Sequence, residues 1–284
     1  MALDRLQALD GAEILPIARS TAWLHEERRP LCVVLLHSLT STPAQFATFA
    51  PLLHERGWNA IAVRLPRHGE RNRMTANLAG LRTHELLVTL DAALEIAHGL
   101  GERVAIMGHS TGGVLASYAA QFREGIELAV PVCPGFAVLR YSRARSRMLM
   151  AFSRVVPNRF IWWDTKLRED FRPSAAYPRF ATRAVAAVMR VADATYDAAG
   201  KRKPLAARIR AVGVAGDPAV NNSATAALVQ RWRSHGADAS YSEIVTEPLN
   251  HDIFDSDQPR AQTERTYPPL LAIFDELFLG VPRG

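Results

Sequence analysis

The chain has 284 residues, of which 48% are apolar and 22% charged, so it is long and apolar enough to fold around a sizeable core. The net charge of +6 comes mostly from scattered arginine without a nucleic-acid-binding motif, so we expect no nucleic-acid partner. The sequence shows no signal-peptide pattern and no apolar run of about 18 residues, so we expect a cytoplasmic protein without stable membrane insertion.

Short apolar runs alternate with helical patterns along most of the chain. Strands are predicted at 31–36, 60–63, 104–107, 126–133, 209–215 and 239–245, with weaker edge-strand signals at 14–24. Helices are predicted at 43–55, 81–100, 114–120, 223–235 and 268–279. Strands of this length between helices predict an α/β fold, with a mainly parallel sheet and helices on both faces.

The alternation of strands and helices stops between residues 136 and 204. A stretch of about 70 residues without a core strand, between two sheet strands, is typical of an inserted unit. We therefore predict a core formed by residues 1–135 and 205–284, with a mostly helical cap, or lid, inserted at 136–204. The basic run 140–147 lies in this cap, and we interpret it as a solvated helical face or a groove for anionic substrates.

Two cysteines are present, Cys32 and Cys133, each within an apolar, strand-like run. This usage indicates buried free thiols in a reducing compartment rather than a disulfide framework. Neither cysteine has metal-ligand spacing with a histidine, so we expect no metal site.

Residues 108–112 read Gly-His-Ser-Thr-Gly and lie between a predicted strand and a predicted helix. In this context a Gly-x-Ser-x-Gly sequence is typical of a nucleophile turn, because so tight a turn projects the serine hydroxyl above the sheet edge. Gly108 and Gly112 suit the positions where strand and helix nearly touch. We therefore predict Ser110 as a nucleophile, with a plain glycine-rich turn as the alternative.

A serine hydroxyl needs an adjacent base that is itself oriented by an acid. Functional groups on parallel sheets lie beyond the carboxyl ends of the strands. Asp217 follows one predicted strand and His251 lies in the loop after the next, so we predict Asp217 as the acid and His251 as the base. A turn-forming role for Asp217 and a surface position for His251 are the alternatives. Asp252 and Asp255 compete as acids, but Asp252 adjoins the base and its side chain should diverge from it.

Acyl transfer also needs donors that face the oxyanion of the tetrahedral intermediate. The main-chain N–H of Thr111 lies at the start of the predicted helix, and that of Leu39 lies in the loop after the first clear strand. We predict these two amides as the oxyanion hole.

Several segments resemble the bacterial carboxylesterase and monoacylglycerol lipase group of the α/β-hydrolase superfamily. The matching segments are the oxyanion segment His37-Ser38-Leu39, the loop 64–69 (Arg-Leu-Pro-Arg-His-Gly), the turn 108–113, the acid segment Asp217-x-x-Val220 and the histidine loop His251-Asp252. The resemblance covers roughly residues 31–135 and 205–279. It departs from the group at Ser38 and Arg67, where the group has glycine.

This resemblance implies hydrolysis of a carboxylic ester through an acyl-enzyme, without a cofactor or metal. The expected partner is a small-molecule ester with a short- to medium-chain acyl group, or a monoacylglycerol-like substrate. We expect substrate contacts from Ser38, His109, Trp162 and Trp163, although aromatic residues at such spacing also fit the core of a cap. Related triad chemistries stay open (C–C bond hydrolase, thioesterase, amidase or acyltransferase), as does a non-catalytic ligand-binding protein on the same scaffold.

Overall fold

The computed structural model describes residues 4, 7, 8, 10–137, 141–152, 157–163, 175–258 and 260–279. Its strands are β1 (Thr21–Trp23), β2 (Arg29–Leu36), β3 (Asn59–Val63), β4 (Gly101–His109), β5 (Ile126–Val132), β6 (Phe160–Trp162), β7 (Arg179–Ala181), β8 (Arg208–Val214) and β9 (Asp238–Ile244). Seven of them form one sheet in the order β1-β3-β2-β4-β5-β8-β9, while β6 and β7 pair separately. Only the edge pair β1–β3 in the large sheet is antiparallel, so the predicted mainly parallel sheet is confirmed.

Helices cover both faces of this sheet. The α-helices are α1 (Ala50–His54), α2 (Thr83–Leu100), α3 (Thr111–Phe122), α4 (Arg143–Phe152), α5 (Thr182–Ala199), α6 (Asn222–Ser234) and α7 (Thr263–Asp275), with 3-10 turns at Pro16–Ala18, Pro43–Phe46, Asn77–Gly80 and Glu276–Phe278. Alternate residues of β2 point to opposite faces, where one apolar cluster packs with α2, α3, α5 and α6 and the other with α1 and α7. Within the described residues, no helix is both long enough and apolar enough to cross a membrane.

Two predicted helices differ from the observed ones, and proline is involved in both cases. The helix predicted at 43–55 is split into the 3-10 turn Pro43–Phe46 and the short α1, with Pro51 in the first turn of α1, where no N–H is needed. The helix predicted to begin at Pro268 begins at Thr263, so that prolines lie inside α7. Side-chain bonds anchor this first part of α7, including one from Tyr267 Oη to the carbonyl of Phe254 (2.6 Å).

Two arginines of the basic run, Arg143 and Arg147, pair with Asp193 in α5 and also line an open cavity beside Tyr196. Arg143 donates to Asp193 (2.8 Å), and its guanidinium lies 3.9 Å from the centre of the Tyr196 ring. Arg140, the first residue of the run, lies outside the described residues. Helix α5 packs its buried side chains into the same apolar cluster as α2 and α3. The division of the chain at residues 136 and 204 stays a prediction.

Arg67 occupies a position where the resembled loop has glycine. Its φ is 67°, in the left-handed region that costs a non-glycine residue about 1 kcal/mol or more. The guanidinium donates to Glu85 (2.9 Å), whose carboxylate also accepts from the Arg82 amide (2.7 Å) at the start of α2. The loop therefore keeps a left-handed turn with arginine in place of glycine and ties it to α2.

A single residue, Ser110, connects β4 to α3. Ser110 has φ 53° and ψ −106°, and α3 begins at the next residue. A Cβ atom on Gly112 would overlap the carbonyl of Leu36 in β2, and one on Gly108 would overlap the carbonyl of Gly112. The strand and helix can approach this closely only because both positions are glycine.

We therefore expect Gly112→Ala to destabilise the protein by about 3 kcal/mol or more, since the backbone of β2 or α3 must move to admit a methyl group. Urea unfolding followed by circular dichroism measures the change. The matched control is Gly99→Ala in α2, where an added Cβ meets no atom within 4 Å and should stabilise the helix by up to about 1 kcal/mol. Equal stabilities of the two variants would show that the close contact is not required.

Candidate active site

The structure brings Asp217 and His251 together at the carboxyl edge of the sheet. Asp217 follows β8 and His251 follows its parallel neighbour β9, so both loops leave the same edge. Nδ1 of His251 lies 2.8 and 3.0 Å from the two carboxylate oxygens of Asp217. The amides of Ala219 and Val220 donate to the same carboxylate at 2.7 and 3.1 Å. This arrangement holds the carboxylate in place and favours the tautomer with hydrogen on Nδ1, leaving Nε2 as an acceptor.

Asp217 and His251 each shift the pKa of the other toward the charged form. Burial alone would lower the pKa of His251, but the charge and hydrogen bond of Asp217, together with the nearby Asp252, hold this pKa above its usual value. Burial alone would raise the pKa of Asp217, but His251 and the two backbone amides hold it below its usual value. The Asp217 carboxylate therefore stays ionised and stabilises a proton on the imidazole.

Ser110 lies at the top of β4 with a half-buried side chain, and its amide donates to the carbonyl of Val132 in β5 (2.8 Å). The preceding residue, His109, is fully buried and donates from Nε2 to the main-chain carbonyl of His251 (2.8 Å). The two imidazole rings lie 4.8 Å apart. The loop that carries His251 is therefore fixed directly to the turn that carries Ser110.

Gln45, which no sequence pattern singled out, connects three loops at this site. Its Oε1 accepts from the Ser38 amide (3.0 Å). Its Nε2 donates to Nδ1 of His109 (3.2 Å) and to the carboxylate of Asp252 (2.8 Å). Both ring nitrogens of His109 are thus bonded to protein atoms, which makes this histidine a support for the site more than a substrate contact.

The two predicted oxyanion donors lie at adjacent backbone segments. Leu39 is in the loop after β2 and Thr111 begins α3, and the bond from the Gly112 amide to the His37 carbonyl (3.2 Å) joins the two segments. Within the described part of the chain, neither the Leu39 amide nor the Thr111 amide donates to a protein acceptor. The carbonyl of Ser38, which shares a peptide group with the Leu39 amide, lies 2.8 Å from His37 Nδ1, and this bond fixes the orientation of that peptide. Both amides are therefore available to a ligand.

Cys133 is a second residue that sequence reasoning missed as part of the site. Burial, followed by the charge of the nearby Asp217, raises the pKa of its thiol well above the usual value. The Cys133 sulfur and one nitrogen each of His109 and His251 lie within 4.8 Å of one another, the spacing of a possible metal site. Since the thiol stays protonated and both His109 nitrogens are occupied, this chemistry suits hydrogen bonding within the chain better than metal ligation. Both cysteines are buried free thiols, as predicted.

A cavity of about 510 Å³ opens beside His251. Ser38, His109 and Trp163 line it, whereas Trp162, also predicted as a substrate contact, is not among the described residues that do. Arg260 and Asp252 are the other charged residues in its wall. The cavity thus borders the histidine of the Asp–His pair and reaches the loop that carries Leu39.

Comparison with known proteins identifies the family of this chain. A comparison with curated protein sequences found no match. Among solved structures, a metagenome-derived lipolytic enzyme described with LipS and LipT has a TM-score of 0.69 at 18% identity, covering 93% of this chain and 99% of its own. The monoacylglycerol lipase of Paleococcus ferrophilus has a TM-score of 0.67 at 19% identity, covering 90% and 98% of the two chains. A soluble variant of monoglyceride lipase from Saccharomyces cerevisiae has a TM-score of 0.66 at 14% identity, covering 91% of each chain.

At these sequence identities the structural similarity shows only a shared fold. The family is assigned from a match of the sequence to a family model. The model of the alpha/beta hydrolase family matches residues 33–266, which include every strand from β3 to β9 and the second half of β2. The chain belongs to the alpha/beta hydrolase family.

Proposed function

We propose that this protein hydrolyses carboxylic esters, with Ser110 as nucleophile, His251 as general base and Asp217 as the acid that orients it. The observation that carries the proposal is the hydrogen-bonded Asp217–His251 pair, whose loop is bonded through His109 to the turn of Ser110. A base oriented by a buried carboxylate, on a loop bonded to the turn that carries a serine, supports activation of that serine hydroxyl for acyl transfer.

In this mechanism Nε2 of His251 takes the hydroxyl proton as Ser110 attacks the ester carbonyl. The Leu39 and Thr111 amides donate to the oxyanion, and removing one such donor in other enzymes costs about 3 kcal/mol. The imidazolium then protonates the leaving alcohol, and an acyl-enzyme forms at Ser110. Water, activated by the same histidine, hydrolyses this ester and returns the free serine.

The substrate class is argued from the cavity and from the structural neighbours. The solved structures of similar fold include lipolytic enzymes and monoacylglycerol lipases. A cavity of about 510 Å³ with Ser38 and Trp163 in its wall has room for a short- to medium-chain ester. Thioesterase, amidase, C–C bond hydrolase and acyltransferase reactions use the same catalytic groups and are the competing assignments. The buried free cysteines support a cytoplasmic site of action.

Turnover of p-nitrophenyl esters tests the proposal directly. We expect the wild-type protein to release nitrophenol from acyl chains of about two to eight carbons, and Ser110→Ala to lower kcat/KM at least about a thousandfold. Ser240→Ala, an exposed serine on β9, is the matched control and should keep wild-type activity. Undiminished hydrolysis by Ser110→Ala would exclude Ser110 as the nucleophile.

The raised pKa of His251 predicts the pH dependence. Since the base must be neutral, kcat/KM should fall as pH decreases through a midpoint above the ordinary imidazole value of about 6.5. Asp217→Asn removes the charge that raises this pKa, so the midpoint should move to lower pH while kcat falls by about 10⁴. The measurement is a pH–rate profile of kcat/KM between about pH 5 and 9, with Asp238→Asn, in a remote surface ion pair, as control. An unshifted midpoint in Asp217→Asn would contradict the assigned pair.

Gln45→Leu tests whether the bridge between the three loops supports catalysis. This change leaves the buried Ser38 amide without an acceptor and frees the adjoining Leu39 peptide to turn. We expect kcat to fall about tenfold, with a smaller change in KM, because misplacement of an oxyanion donor acts on the transition state. Thr48→Val removes a hydrogen bond to Tyr267 from the same segment without touching the site and serves as the control. If both variants lose kcat equally, Gln45 has only a structural role.

A further inference from the structure

We propose that the esters hydrolysed by this protein carry an anionic group, such as a carboxylate, that binds Arg260 in the wall of the cavity beside His251. This inference rests on the proposed function and names its substrate class. Arg260 is exposed to the cavity that borders the Asp217–His251 pair. Neither the charge of the substrate nor a role for Arg260 follows from the fold.

The main chain around Arg260 is held against the loop of His251. Asn250, the residue before His251, donates from Nδ2 to the Arg260 carbonyl (3.2 Å) and to the Asp252 carbonyl (2.6 Å). Two residues beyond Arg260, Gln262 donates to the Pro248 carbonyl (2.9 Å) and accepts from the Glu247 amide (3.0 Å). The main chain of Arg260 is therefore tied to the loop that carries His251.

Arg260 is a cation without a counter-ion in the described residues. Its charged neighbours in the cavity wall are already occupied. His251 is paired with Asp217, and the Asp252 carboxylate accepts from Gln45 and from the amides of Phe254 and Asp255. A guanidinium left unpaired in a concave site favours a planar anion that can accept two parallel hydrogen bonds.

Part of the cavity lining is polar. Ser38, Thr40 and Ser41 line it, and within the described residues their hydroxyl groups form no hydrogen bond to another protein group. Trp163 and Leu249 add apolar surface to the same lining. Such a wall suits a substrate with a short methylene chain and a polar or charged end, whereas a long alkyl chain would leave these donors without acceptors.

A pair of matched substrates tests the inference. The p-nitrophenyl monoester of adipic acid and p-nitrophenyl hexanoate differ only in a carboxylate in place of the terminal methyl group. We expect the wild-type protein to show a higher kcat/KM for the anionic ester, and Arg260→Gln to lower the ratio of the two kcat/KM values about tenfold, as for loss of a charge-assisted hydrogen bond. Arg260→Lys should retain part of this ratio, and added salt should reduce it in the wild-type protein.

Arg233→Gln is the control, since it removes the same charge from an exposed position on α6 away from the cavity. It should leave the ratio unchanged. If Arg260→Gln also leaves the ratio at its wild-type value while both esters are hydrolysed, the inference about the anion is wrong and the esterase proposal stands. If the wild-type protein hydrolyses neither ester, the proposed function fails and the inference fails with it.

Discussion

The close approach of β2, β4 and α3 is the constraint on which the candidate site depends. With glycine at 108 and 112, the helix starts one residue after Ser110, and the Gly112 amide reaches the His37 carbonyl at 3.2 Å. That contact sets the loop of Leu39 beside the start of α3, so that the segments carrying the Leu39 and Thr111 amides are adjacent. Because both are backbone groups, their positions are decided by how tightly the strands and helix pack, and no side chain could replace that packing.

A second constraint is the buried polar network centred on Gln45. One amide side chain accepts from the Ser38 amide in the loop after β2 and donates to the residue before Ser110 and to the residue after His251. Buried polar groups are stabilising only when all their hydrogen bonds are made, and a network that is fully bonded in one geometry penalises the others. The three loops therefore hold one another in place, although each enters the site from a different strand.

The sequence predicted the sheet and its helices because their patterns are local. Runs such as 31–36 are apolar at every position, and a strand buried on both faces requires that pattern. Asp217 and His251 could be selected because parallel strands end at a common edge. Gln45 could not be selected in this way, because it does not directly follow a strand. It lies 207 residues from Asp252 along the chain, so only tertiary packing brings the two together. The substitution of arginine for glycine at 67 was visible, but its φ of 67° and its bond to Glu85 depend on how the loop meets α2.

Two histidines with rings 4.8 Å apart lie at this site, and their surroundings assign them different roles. Burial, followed by the nearby charge of His251, lowers the pKa of His109 to about 4, so this ring stays neutral. Neutrality is what its bonds require, since Nδ1 must accept from Gln45 while Nε2 donates to a carbonyl. His251 has the opposite environment, because the carboxylate of Asp217 raises its pKa. Neighbouring titratable groups with pKa values driven apart are the usual mark of divided function in a catalytic site. His251 is thereby the ring whose protonated form is favoured by its surroundings, and His109 is the neutral ring bonded to its loop.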